Sequence, residues 1–236
     1  ERARRSTPLR SVSRPAPAAR PRARLARPDY AAAAEALAAL GRALDLAEGP
    51  VATPLQDTSV LYEAWAALET VHAFACALGD NVSLRPFRSE PLGSGPAVRL
   101  VGERAEVDVV RTPRFAGPPA LLVQIPDLLV TVRRPCQPTH TVVLDAKYRL
   151  DASGAAPPGD ALGSLHRYRD AIVGPDGRAL VQTAAVLFPA RPGAGFEGAR
   201  VWTSLATLGI GAVPLLPGAT EWLDRLATRL VSDGPS

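Results

Sequence analysis

Two short apolar runs rich in β-branched residues lie close together near the middle of the chain, Leu128–Val132 and Thr141–Leu144. A proline-punctuated loop separates them, which predicts two neighbouring strands of a buried or half-buried sheet. Asp127 begins the first strand, Asp145 ends the second, and Lys147 follows two residues later. Because side chains alternate along a strand, we expect Asp145 and Lys147 on one face, with Asp127 beside them if the strands pair.

Two stretches upstream have the composition and periodicity of helices. Asp29–Glu48 is rich in Ala and Leu and predicts a packing helix that ends at a Gly-Pro pair. A second helix is predicted over Asp57–Gly79, where Asp57 or Thr58 can cap the start and Gly79 ends the helix.

The second helix carries an acidic residue, Glu63, whose position depends on which face is buried. The expected core stripe consists of Leu61, Trp65, Leu68, Val71 or His72, and Ala75. Glu63 lies off that stripe, in register with Ala67 and Thr70. Taken alone, a glutamate on such a face is interpreted as solvated.

A β-hairpin is predicted between this helix and the central strands. Its strands are Val98–Val101 and Ala105–Val110, joined by Gly102-Glu103. The second strand alternates, so one face carries valines and the other carries Glu106 and Asp108, which we expect to be the wet face.

Helical and strand patterns also alternate after the central strands. The predicted elements are a helix over Asp160–Val173, strands over Ala179–Pro189, Val201–Leu205 and Ile210–Leu215, and a closing helix over Thr220–Val231. In the first of these helices, Tyr168 is placed to face the ends of the central strands. The whole order of elements predicts an α/β fold with a mixed sheet and helices packed on its faces.

Charge is distributed unevenly along the 236 residues. Residues 1–28 contain nine arginines and one glutamate among Pro, Ala and Ser, which predicts a disordered arm or linker. The remaining 18 basic and 22 acidic residues leave residues 29–236 mildly acidic, at about −4. The predicted organisation is therefore an arm over 1–28, a packing helix and connector over 29–53, and one domain over 54–236.

The amino-acid composition bears on the extent of the chain, its cellular compartment and its relation to membranes. The chain has no methionine, even at position 1, so we expect a fragment of a longer protein with an upstream partner domain. Two cysteines are too few for a disulfide scaffold, and they indicate a reducing, cytoplasmic compartment. No apolar run approaches the length of a membrane span.

Lys147 is the only lysine, because every other basic residue is arginine. Lysine is a compact ammonium with an adjustable pKa, whereas arginine is a planar and permanently charged fork. With Asp127 and Asp145 it suits a divalent cation and a phosphate, and hard oxygen ligands favour Mg²⁺ or Mn²⁺. An ordinary ion pair at a strand end is the simpler alternative.

Motifs of several other enzyme classes are missing from the sequence. There is no Walker A motif, GxSxG, CxxC or HExxH. Gly209-Ile-Gly211 lacks the third glycine of a dinucleotide site and is followed by Ala-Val-Pro instead of a helix start. Three histidines and two cysteines, widely separated, argue against a transition-metal site.

Three segments of the sequence together resemble the PD-(D/E)XK nuclease superfamily, which has a restriction-endonuclease-like αβββαβ core. They are a Pro-Asp dipeptide, an Asp-Ala-Lys tripeptide at a strand end, and an upstream helix with L-Y-E-A-W. More narrowly, four segments resemble the DUF2357-associated nuclease domain of McrBC/LlaJI-like restriction systems. They are L-Y-E-A-W, H-R-Y-R-D-A-I, A-V-L-F-P and G-I-G-A-V-P-L-L-P-G. The resemblance covers about Pro54–Val231 and leaves out the arginine-rich arm.

The resemblance implies a site and an activity. Asp127, Asp145 and the Ala146 carbonyl would bind Mg²⁺, with Mn²⁺ as a substitute, and Glu63 would bind it directly or through water. Lys147 would orient and activate the attacking water. Two further residues, Tyr168 and Arg167, would lie near the scissile phosphate.

The implied function is a prokaryotic, cytoplasmic DNA endonuclease of phage defence that leaves 5′-phosphate and 3′-hydroxyl ends and works with an AAA+ or GTPase motor. Two other classes stay open at this stage. One is a catalytically silent nuclease fold that serves as a DNA-binding or scaffold subunit. The other is a different Mg²⁺-dependent phosphoesterase that acts on RNA or nucleotides.

Overall fold

The computed structural model describes residues 58–88, 96–115, 123–174, 176–193 and 195–232. The predicted arm over 1–28, the helix over Asp29–Glu48 and the connector up to 53 lie outside the described residues. Asp57, one of the two predicted caps of the second helix, does so as well. In the part of the chain that is described, no helix combines the length and the apolar character that a membrane span requires.

Seven strands form one sheet and follow their order in the chain. They are β1 (Ser83–Arg88), β2 (Pro96–Val101), β3 (Glu106–Arg111), β4 (Leu128–Arg133), β5 (His140–Ala146), β6 (Thr183–Phe188) and β7 (Ile210–Pro214). Strands β1 to β5 pair antiparallel, whereas β5, β6 and β7 pair parallel.

Four helices flank this sheet in the described part of the chain: α1 (Thr58–Leu78), α2 (Gly159–Ala171), α3 (Arg200–Thr207) and α4 (Glu221–Ser232). Parallel pairing requires crossover connections, which α2 supplies between β5 and β6 and α3 supplies between β6 and β7. The predicted fold class, a mixed sheet with helices on its faces, is confirmed.

The sheet is buried on both faces. Helices α1 and α4 cover one face with a core that includes Phe74, Leu144, Ala146 and Leu223. Helix α2 covers part of the other face with a second core of the following residues: Leu129, Val143, Leu165, Ile172 and Phe188. Because Ala146 faces α1 and Val143 faces α2, the alternation of β5 directs Asp145 and Lys147 towards the α2 face, as predicted.

The predicted core stripe of α1 is wrong in part. Leu61 is 50% exposed, and His72 is also exposed. The buried face instead carries Tyr62, Ala66, Ala67, Thr70, Val71, Ala73, Phe74 and Leu78. Alanines lie between Tyr62, Phe74 and Leu78 on this face and allow it to pack closely on the sheet, so a stripe of large apolar residues alone does not mark it. Compared with the predicted stripe, the buried face is rotated about the helix axis towards Glu63, whose side chain is only partly exposed.

Val201–Leu205 is a helix rather than the predicted strand, because it forms most of α3. The β-branched and aromatic residues Val201 and Trp202 favoured a strand. Val201 and Leu205 are four residues apart, however, so they share one side of a helix, and each packs against an apolar cluster of the core. The parallel pairing of β6 and β7 requires a crossover here, which an additional strand could not make.

The β2–β3 hairpin is confirmed, but its expected wet face is not. Asp108 is 4% exposed. Its carboxylate accepts hydrogen bonds from Arg99 Nε at 2.7 Å and from Arg133 Nη1 at 2.7 Å. Strand β1 has no counterpart among the predicted elements, because Pro86 breaks its pattern. A proline is tolerated there since β1 is an edge strand.

The close packing of α3 on β7 generates a stability prediction. A Cβ atom at Gly211 would lie 2.1 Å from the Val201 carbonyl oxygen, so Gly211→Ala forces the helix away from the strand. We expect a loss of roughly 1–3 kcal/mol in the free energy of unfolding, measured by urea denaturation.

Gly163→Ala is the matched control, because a Cβ at this position in α2 would meet nothing within 4 Å. Alanine is the better helix former, so this change should raise the free energy of unfolding by up to about 1 kcal/mol. Equal effects of the two substitutions would contradict the packing described for α3.

Candidate active site

The pairing of β4 with β5 brings the central acidic residues together. The two strands are antiparallel, with Leu128 opposite Leu144. Asp127 directly precedes β4 and Asp145 lies near the end of β5, so the register places them at the same edge of the sheet. Lys147 is held there by its own backbone, whose N–H donates to the Leu187 carbonyl of β6 at 2.9 Å.

The Lys147 ammonium lies between the two carboxylates. Its Nζ atom is 2.9 Å from Asp145 Oδ2 and 3.3 Å from Asp127 Oδ2. Asp127 Oδ2 also accepts a hydrogen bond of 2.8 Å from the Ala146 backbone N–H. These contacts fix the Asp127 carboxylate over the end of β5, as the sequence predicted.

Asp145 is a buried carboxylate whose two oxygens have different partners. Its side chain is 1% exposed. Tyr168 Oη donates to Asp145 Oδ1 at 3.4 Å. Asp145 Oδ2 lies 2.9 Å from the Lys147 ammonium. Both oxygens of this buried carboxylate therefore have a polar partner, and the Lys147 charge compensates that of Asp145.

The charges of this cluster shift one another's pKa. Burial, and then the negative charge of Asp127, raise the pKa of Asp145 to about 6, against the opposing effect of Lys147. Burial lowers the pKa of Lys147, but Asp127 and Asp145 outweigh burial and raise it above its usual range. Lys147 is therefore a charged ammonium at neutral pH.

Tyr168 and Arg167 differ in how they meet the site. Tyr168 is buried on α2 and faces Asp145, as predicted. Burial, with Asp145 next, raises the pKa of Tyr168 to about 12, so its hydroxyl remains a proton donor. Arg167 is exposed. Its guanidinium carbon lies 5.9 Å from the centre of the Tyr168 ring.

Glu63 stands farther from the cluster. Within the described residues it makes no hydrogen bond or ion pair with Asp127, Asp145 or Lys147. Burial and then the Asp127 charge raise the pKa of Glu63, while Lys147 and Arg111 lower it. Glu63 therefore lies within electrostatic reach of the cluster but outside direct contact.

Arg111 is a residue near the site that the sequence analysis does not identify. Arg111 is the last residue of β3 and lies opposite Leu128, the residue that follows Asp127. Its positive charge acts on Glu63. The sequence did contain a signal for this residue. If the predicted hairpin strand that ends near position 110 pairs antiparallel with the strand that begins at Leu128, Arg111 lies beside the start of β4.

The donors at this edge fit a hard divalent cation. Asp127 and Asp145 supply carboxylate oxygens, and the Ala146 carbonyl oxygen lies 3.5 Å from Lys147 Nζ, in the same cluster. Mg²⁺ is commonly bound by one or two carboxylates and keeps several waters. Across the described residues, no three His, Cys, Asp or Glu side chains lie close enough together to hold a metal ion. The set of close side-chain ligands therefore stops at these two carboxylates.

An α/β sheet with Pro-Asp at the start of one strand and Asp-Ala-Lys at the end of the next has the arrangement that defines the PD-(D/E)XK nucleases. The family model of the PD-(D/E)XK nuclease superfamily matches residues 60–192, more than half of the chain. The chain belongs to this superfamily, whose nucleases usually use divalent metal ions. Among curated proteins and among solved structures, none matches the chain.

The raised pKa of Asp145 predicts how the stability of the metal-free protein depends on pH. The folded protein binds the Asp145 proton more tightly than the unfolded chain does. This proton stabilises the folded protein fully at pH values below the pKa of Asp in the unfolded chain, about 3.9. The stabilisation is lost as the pH rises through the folded-state pKa of about 6. Asp145→Asn should therefore raise the melting temperature at pH 7 in a chelator, with a gain of up to about 3 kcal/mol that shrinks towards pH 4.

Asp170→Asn on the exposed side of α2 is the control and should show no such pH-dependent gain. An Asp145→Asn protein that is less stable than the wild type at pH 7 would contradict the account of this cluster.

Proposed function

We propose that this domain is a Mg²⁺-dependent DNA endonuclease that hydrolyses phosphodiesters to 5′-phosphate and 3′-hydroxyl ends. The observation that carries the proposal is the Lys147 ammonium held within 3.3 Å of both Asp127 and Asp145. The membership of the chain in a nuclease superfamily supports the same activity.

Asp127, Asp145 and the Ala146 carbonyl are the groups that would hold the cation. Glu63 would contribute through a water, since it lies within electrostatic reach but not in contact. When bound, the divalent cation supplies charge neutralisation at the phosphate and lowers the pKa of a bound water.

The side chains around the cation have separate tasks in this proposal. Lys147 orients the attacking water and stabilises the negative charge that develops on the phosphate, which a preorganised ammonium does without reorganisation. Tyr168 holds Asp145 in place through Oδ1 and keeps its proton, because its pKa is about 12. Arg167, exposed beside the Tyr168 ring, would contact a backbone phosphate in this proposal.

The biological setting forms the second part of the proposal. Residues 29–236 carry a net charge of about −4, which is unfavourable for gripping DNA without help. We infer that an AAA+ or GTPase motor, or an upstream domain, delivers the DNA, as in the McrBC/LlaJI-like restriction systems with DUF2357-associated nucleases. Phage defence in the cytoplasm of a prokaryote is the role that this arrangement fits.

The catalytic assignment predicts a specific pattern of losses. Asp127→Asn, Asp145→Asn and Lys147→Ala should each lower the rate of DNA cleavage by at least about 100-fold, because each removes a group that acts on the reacting phosphate. Lys147→Arg should not restore activity, since a planar fork does not replace a compact ammonium. Gel assays with plasmid, single-stranded DNA, RNA and nucleotides in Mg²⁺ or Mn²⁺ measure these rates.

Arg178→Ala is the control, because its side chain is 89% exposed in the turn before β6. It should leave the cleavage rate unchanged. A folded Lys147→Ala protein that cuts at the wild-type rate would rule out the mechanism. Cleavage of RNA or nucleotides but not DNA would redirect the proposal to another phosphoesterase.

A further inference from the structure

We propose that Tyr148 is a substrate-binding residue that stacks on an unpaired nucleobase next to the phosphate at Lys147. The enzyme would then prefer single-stranded or locally unpaired DNA to an intact duplex. This inference rests on the proposed nuclease activity and adds the structural form of the substrate.

The position of Tyr148 is the first observation. It directly follows Lys147, so the two Cα atoms are about 3.8 Å apart. A base attached beside the scissile phosphate lies within one nucleotide of that phosphate. Lys147 is directed towards the α2 face, whereas the Tyr148 ring contacts Tyr62 of α1, so a base stacked on Tyr148 would lie across the end of β5 from the phosphate at Lys147.

The exposure of the ring is the second observation. Tyr148 is 46% exposed. Six other large apolar side chains are exposed in the described part of the chain, and all six are aliphatic: Val60, Leu61, Leu84, Val123, Ile125 and Leu208. Tyr148 is thus a partly exposed aromatic residue at the edge of the sheet that carries the candidate active site.

The ring is also held in place. Its centre lies 5.2 Å from the centre of the Tyr62 ring. Tyr62 is buried and donates a hydrogen bond to the Leu215 carbonyl at 2.9 Å. On either side of Tyr148 the backbone is fixed, because Lys147 N–H donates to Leu187 and Arg149 N–H donates to Lys147. A ring prepared in this way loses little conformational entropy on binding.

The contact with Tyr62 also has an ordinary interpretation, in which it only joins α1 to the end of β5. That interpretation predicts a purely structural effect of mutation, equal for every substrate. Stacking predicts an effect confined to DNA with an accessible base, because bases inside a duplex already stack on both sides and must leave the helix to reach a protein ring.

Binding is tested with the full chain carrying Asp145→Asn, which removes cleavage in the proposal. Single-stranded and duplex oligonucleotides contain one 2-aminopurine, whose fluorescence falls when the base stacks. Adding Tyr148→Ala should weaken single-strand binding by roughly tenfold to a hundredfold and abolish the quenching, with little change for the duplex. Tyr148→Phe should retain both signals, and Tyr148→Leu, which has no π-face, should lose them.

Cleavage kinetics supply an independent readout in the otherwise wild-type chain. Tyr148→Ala should raise KM for single-stranded DNA by a similar factor and change kcat little. Leu208→Ala is the matched control, because Leu208 is 62% exposed but precedes β7 at the opposite end of the sheet. It should leave both constants unchanged.

The outcomes separate this inference from the activity on which it rests. Metal-dependent DNA cleavage with a KM and a quenching signal that do not respond to Tyr148→Ala would overturn the stacking role and leave the nuclease proposal standing. An equal loss for single strands and duplexes, together with a lower melting temperature, would overturn it in favour of a structural role. A wild-type protein that cuts no DNA in any form would overturn both.

Discussion

The candidate site depends on the Lys147 ammonium, which forms ion pairs with both the Asp127 and the Asp145 carboxylates. At an effective dielectric constant of about 20, an ion pair at the Lys147–Asp145 distance has a gross attraction on the order of 5 kcal/mol, most of which desolvation of the buried groups removes. Without the ammonium, the charges of Asp127 and Asp145 would lie unshielded at the same edge. The Lys147 ammonium thus compensates the two carboxylates more than it adds to stability.

The sheet supplies the precision that this cluster requires. Asp127 and Asp145 lie at paired ends of antiparallel strands, and Lys147 is tied to the parallel neighbour β6. The site therefore uses the junction where antiparallel pairing changes to parallel pairing. Sites on strands hold their side chains more precisely than sites on loops. Burial, and then the charge of Asp127, raise the pKa of Asp145, so its ionised form lowers the stability of the folded protein at neutral pH.

Much of this arrangement could be predicted from the sequence, because it follows from local rules. Period-two alternation placed Asp145 and Lys147 on one face, and hairpin pairing placed Asp127 beside them. The rest depended on tertiary context. The buried face of α1 mixes alanines with large side chains, so a stripe of large residues did not identify it, and the position of Glu63 required the packed helix. Asp108 became buried because two arginines from neighbouring strands meet it, and α3 is helical because parallel strands need a crossover.

The most direct test of the central claim is anomalous diffraction from a crystal of the full chain soaked in Mn²⁺. The account predicts one strong peak bounded by Asp127, Asp145 and the Ala146 carbonyl, and its loss in the Asp145→Asn protein. A peak elsewhere, or no peak at this edge of the sheet while the wild-type protein cleaves DNA in Mn²⁺, would contradict it.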